Sequence, residues 1–103
     1  MNMPFIVKFL EHGEENAKSQ ERLQIETGLS RRELRAAVFD ARSKGVAILS
    51  NTDRDNGGYY LPGNNDELRR YVAFQKSRIN SAREAMRAAE QLLRRGGIKD
   101  EHI

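Results

Sequence analysis

The 103-residue sequence contains no cysteine and two histidines, His12 and His102. Without cysteine there are no disulfides and no thiolate metal ligands, and a reducing cytosolic setting is expected. The histidines fall at an expected helix end and in an expected loose tail, with no Glu-x-x-His spacing. No metal site is therefore expected. The acidic pair Glu14-Glu15 lies in a polar segment with no base or nucleophile beside it. No glycine-rich phosphate loop follows a strand, because Gly57-Gly58 sits inside an expected hairpin. These gaps argue against an enzyme and against a cofactor. Long apolar runs are lacking as well. The stretch from Met3 to Leu10 is broken by Lys8 and followed by Glu11, too short to span a bilayer and wrongly flanked for a signal peptide. A soluble chain with no membrane partner is expected.

What is present is a modest apolar fraction of 38% beside 32% charged residues. That suits one small core carrying a long solvated element. The net charge of +3 is unevenly spread: residues 1–30 carry −2, residues 31–45 carry +3, residues 46–66 carry −2 and residues 67–103 carry +4. Positive charge thus gathers on two stretches that also read as helices, the pattern that phosphate binding requires.

Pro4 opens an expected helix in which Phe5, Ile6, Phe9 and Leu10 recur at helical spacing, with Gly13 as its stop. Glu14 to Lys18 reads as polar connection. Ser19 caps a second helix with few apolar positions, Leu23 and Ile25, and Gly28 ends it. The clearest local signal follows. Ser30 with Glu33 forms a capping box, and Leu34, Ala37, Val38 and Ala41 make one apolar stripe that closes at Gly45. Val46 to Leu49 and Tyr59 to Leu61 read as two strands of a β-hairpin around a polar loop, stopped by Pro62 and Gly63. Of Tyr59 and Tyr60, alternation puts one in the core and the other outside it or against the last helix.

Asn64 with Glu67 repeats the capping-box pattern at the head of a helix expected from about Asp66 to about Arg95. Val72, Ile79, Met86 and Leu93 fall at seven-residue spacing, with Leu68, Gln75, Ala82 and Ala89 between them. Such a stripe predicts a coiled-coil-like seam, satisfied by a homodimer through Val72, Ile79, Ala82, Met86, Ala89 and Leu93 or by the helix folding back on the domain. The fold class expected is mainly α with a small β-hairpin. Residues 4–63 form a domain, residues 64–95 a long helix, and residues 96–103 a loose tail.

The segment from Glu21 to Val38, with its Thr27-Gly28-Leu29-Ser30 turn between two short helices, resembles the winged helix-turn-helix superfamily. The Gly58-Tyr59-Tyr60-Leu61 strand is similar to the return strand of that family's wing. More narrowly, residues 5–95 resemble small winged-helix proteins of phages and prophages of Gram-positive bacteria. Gln24 departs from the motif, which prefers a small residue there. The resemblance implies a recognition helix over residues 31–44 that reads the major groove of double-stranded DNA in a bacterial host cell. Its physics agrees, because arginine pairs with guanine edges or neutralises phosphates. Arg31, Arg32, Arg35 and Arg42 are the expected contacts, with Arg54 at the wing tip beside the opposing Asp53 and Asp55. Phe39 is expected to pack, buried or against a partner, in preference to meeting a thymine methyl. The role implied is transcription regulation or replication accessory. A phage-borne module that binds a host protein is the alternative, since fold does not fix function.

Overall fold

A computed structural model describes residues 3–52 and 57–99. Three helices and one hairpin follow in the order α1 (Gln20–Thr27), α2 (Arg31–Ser43), β1 (Leu49–Asn51), β2 (Gly58–Tyr60) and α3 (Asn65–Arg94). The chain divides into two compact units, residues 1–71 and residues 72–103, so that the division runs inside α3.

In the first unit, the stretch expected as a full helix from Pro4 is instead a 3₁₀ turn, Phe5–Phe9, and the backbone is already extended at Leu10. The apolar spacing is the same for one turn of either helix, and five residues are too few to favour the α form. Ile6 and Leu10 are buried, while the Phe5 and Phe9 rings meet edge-to-face at 6.1 Å. The connection from Glu14 to Lys18 is also more ordered than its polarity implies. It holds a second 3₁₀ turn, Glu14–Asn16; its last residue, Lys18, pairs with Tyr59, and His12 just before it bridges to Leu61.

The pair α1 and α2 forms as its punctuation dictates. Ser19 Oγ accepts the Arg22 N–H, and Gly28 ends α1 at φ 77° with its N–H on the Gln24 carbonyl. That left-handed conformation is one that glycine adopts without Cβ strain. In the turn, Thr27 Oγ1 donates to the Leu23 carbonyl at 2.6 Å and accepts from Leu29 N–H at 3.2 Å. Leu23 from α1, and Leu34, Val38 and Ala41 from α2, are buried with Ile6, Leu10, Ile48 and Leu61 in one cluster. Leu29, Ala37, Val46 and Tyr59 pack on its edge. Ile25 stays outside at 84% exposure, so Leu23 is the one buried side chain of α1.

β1 pairs with β2 antiparallel, in the register Leu49–Tyr60, Ser50–Tyr59 and Asn51–Gly58. The first strand lies further along the chain than its β-branched residues indicate. Val46 and Ile48 instead close the core behind α2, with the Val46 N–H on the Ala41 carbonyl. Tyr60 is buried and Tyr59 half-buried, as alternation requires. The other edge of β2 is covered too. Lys18 and Tyr59 exchange N–H to carbonyl bonds at 3.0 and 2.9 Å, and beyond β2 Leu61 does so with Glu11 and Gly13, both at 2.8 Å. A covered edge leaves no row of free backbone groups to recruit another strand.

In the second unit, α3 continues without a break to Arg94, and every described position from Val72 to Arg94 is exposed except the half-buried Gln75. Among the described residues, no helix is long and apolar enough to cross a membrane.

Candidate nucleic-acid interface

The reciprocal bonds of a capping box set the start of α2. Ser30 Oγ accepts from Glu33 N–H at 3.1 Å, and the Ser30 N–H donates to Glu33 Oε1 at 2.9 Å. These bonds hold the Glu33 carboxyl below its ordinary value, the backbone bond from Ser30 foremost. They hold the carboxylate at the cap, where it forms no ion pair with the arginines around it among the described residues.

With Leu34, Val38 and Ala41 turned into the core, Arg31 at the start of α2 and Arg32, Arg35 and Phe39 away from that stripe are all exposed. Arg31, Arg35 and Phe39 are spaced by four residues and share one stripe of the helix. Neighbouring cations are mostly occupied. Lys18, only 8% exposed, donates to Glu26 at 2.8 Å, and Arg22 donates to the same carboxylate at 2.9 Å. Those two hydrogen bonds, Lys18 first, hold Glu26 below the usual carboxylate range. Lys44 pairs with Asp40, and Arg70 bridges Asp66 and Glu14. Arg31, Arg32 and Arg35 form no ion pair or hydrogen bond with the described residues, leaving three uncompensated guanidiniums on the first turns of one helix. The positive end of the helix dipole adds to their field there.

Arg42 is placed differently. Its Nε donates to the Ile48 carbonyl at 2.9 Å, and its guanidinium carbon lies 5.9 Å from the ring centroids of both Tyr59 and Tyr71. Half-buried, it braces α2 against the hairpin and the first turns of α3. Arg54 and the flanking Asp53 and Asp55 lie outside the described residues. Phe39 is not buried: at 74% exposure it lies open beside Arg35. The seam residues Val72, Ile79, Ala82, Met86, Ala89 and Leu93 are all exposed within the chain.

One carboxylate is buried where the sequence signals only a cap. Glu67, 5% exposed, accepts from the Glu14 N–H at 2.9 Å and from the Gly63 N–H at 2.7 Å. Its own N–H donates to Asn64 Oδ1 at 2.9 Å, so half of the expected capping box forms. The other half is redirected, since the carboxylate reaches past the cap residue to two other amides. The Asn64–Glu67 spacing signals the cap, but nothing local signals Glu14 as a partner 53 positions away.

Comparison with known proteins finds no matching family model, no similar curated protein and no similar solved structure.

Proposed function

We propose that this chain is a winged helix-turn-helix protein that binds double-stranded DNA through α2. One observation carries the reading: Arg31, Arg32 and Arg35 are exposed and unpaired with the described residues, on a capped helix whose apolar stripe is core. A helix fits the major groove, and arginines on its first turns reach guanine edges or flanking phosphates. The order of two short helices about Gly28, then a hairpin, supports the same fold reading. Arg42 contributes by bracing α2. The resemblance of the sequence to phage and prophage proteins supports a role in transcription regulation or replication support inside a bacterial cell.

The test is anisotropy titration of a labelled duplex over a salt series. Neutralising each phosphate contributes roughly −0.9 to the slope of log K against log salt. The Arg32→Ala/Arg35→Ala variant should flatten that slope by nearly two and weaken binding at every salt concentration. Both side chains are exposed, so the variant should fold as the parent does. Equal binding by variant and parent overturns the reading.

A second reading rests on Phe39. An exposed aromatic in line with arginines is also the composition of a protein-binding hot spot. Undetectable duplex binding at low salt, together with a host-protein complex that Phe39→Ala abolishes, would favour it.

A further inference from the structure

The second unit leaves one helical stripe uncovered. Val72, Ile79, Met86 and Leu93 are 48%, 51%, 58% and 72% exposed, and Ala82 and Ala89 alternate with the last three. In heptad terms the large residues hold a, and Gln75, Ala82 and Ala89 hold d. The e positions are Lys76, Arg83 and Glu90, and the g positions include Arg78, Ala85 and Leu92. Lys76, Arg83 and Glu90 are exposed and form no ion pair with the described residues.

We infer that this stripe is covered by α3 of a second copy of the chain running antiparallel, with Ile79 opposite Ala89 and Ala82 opposite Met86 of that copy. Two independent features select this arrangement. The first is size. A parallel pair stacks a on a and d on d, so that Ile79, Met86 and Leu93 meet themselves while Ala82 and Ala89 face each other across gaps. Antiparallel pairing sets a against d, a large side chain on an alanine in each of the four inner layers, with Leu93 on Gln75 at the two ends, which keeps the helix separation even and the packing dense.

The second feature is charge. Parallel pairing places g beside the following e of the other chain, which brings Arg78 against Arg83 twice and forms no attractive pair. The antiparallel register places e beside e, so that Lys76 meets Glu90 twice and Arg83 meets its own copy once. Sliding by one heptad in one direction sets Lys76 against Arg83 twice, which cancels the two contacts of Arg69 with Glu90, and draws Leu68 and Arg69 of the first unit into the overlap. Sliding the other way leaves four layers in place of six. The chosen register runs from Gln75 to Leu93, roughly 27 Å of helix at 1.5 Å per residue, and lies wholly in the second unit. It holds whatever α2 binds.

The cysteine-free sequence makes the test clean. Ile79→Cys and Ala89→Cys, both at exposed positions of the full-length chain, are made as separate single variants and oxidised alone and mixed. In the proposed register each cysteine lies about ten residues, roughly 15 Å, from its own copy along the axis, beyond the ~7 Å that a disulfide spans. The mixture should therefore yield the 79–89 heterodimer, and neither variant alone a covalent dimer. Rapid self-linking of Ile79→Cys alone means parallel pairing and overturns the inference. So does a monomer in sedimentation at 100 µM or so, a concentration at which a specific pair forms. As a second arm, Glu90→Lys should weaken dimerisation about tenfold by turning two attractions into repulsions, and Lys76→Glu/Glu90→Lys should restore it. No rescue by the double variant refutes the register.

Discussion

Replacing Glu67 by glutamine removes one charge and little volume from the buried junction of Gly63, Glu14 and α3. Both carboxylate oxygens accept backbone N–H groups, at 2.7 and 2.9 Å. A glutamine amide offers one oxygen and one NH₂, so in either orientation a donor confronts a donor. One charge-assisted bond is lost, worth about 1.5–3 kcal/mol, and the surviving bond falls to neutral strength. A loss of about 2–3 kcal/mol is expected, and at about 4–8 °C per kcal/mol the melting temperature should fall by at least 8 °C. Urea unfolding followed by far-UV circular dichroism measures it. The pH dependence supplies an independent check. Hydrogen bonds from Glu14 and then Gly63 lower the folded Glu67 pKa below its ordinary value of 4.5. A lowered carboxylate contributes stability that is present above the unfolded value and lost as pH falls through the folded one. The stability difference between parent and variant should therefore be constant from neutral pH to about 5 and shrink on further acidification. An equally stable variant at pH 7, or a difference that widens in acid, would refute the clamp.

Two further substitutions test the packing around α2 and β2. Gly58→Ala meets strain twice, because φ is 140° and a Cβ would collide with the Lys18 carbonyl across the pairing. A loss of about 3 kcal/mol or more is expected in chemical denaturation, against about 1 kcal/mol for Gly28→Ala, where φ is 77° and nothing lies within 4 Å. Similar costs for the two would show that the Lys18 contact does not constrain β2. Arg42→Lys keeps the charge but loses the flat guanidinium beside Tyr59 and Tyr71. A drop of about 1–2 kcal/mol, read by thermal melting, is expected, and an unchanged melt would mean that the brace carries no load.

The elements whose determinants are local were legible in the sequence. Ser19, Gly28 and the Ser30–Glu33 box mark α1 and α2 because capping bonds close within four residues. The uninterrupted stretch after Asn64 marks α3 for the same reason. What escaped depends on partners far along the chain. Lys18 reads as the end of a polar connection and Glu67 as a cap, yet one is buried against Glu26 and the other against Glu14 and Gly63. The pairing of residues 11–18 with the chain around β2 leaves no periodic trace, because backbone groups make it. Phe39 is not buried within the chain, which leaves packing against a partner as the form of its expected contact. The inward face of α2 is already filled by Leu34, Val38 and Ala41, and helical geometry points residue 39 away from it. The three arginines of the candidate interface were legible for the same geometric reason, and Arg42 was not, since its partners are a carbonyl and two rings on other elements.

The division of the chain inside an unbroken helix has a consequence for how that helix forms. Starting a helix is the unfavourable step, because several residues must be fixed before one bond repays them. In α3 the start is provided by Asn64, Glu67 and the buried junction they share with Gly63 and Glu14. Once the first unit has folded, growth past Tyr71 is pure propagation, one bond per residue, with no new nucleus required. The two stretches of one helix therefore melt by different laws. The first turns should vanish with the core in a single cooperative step. The remainder unzips gradually from Arg94, with amide exchange quickening toward that end unless a second chain lies along it.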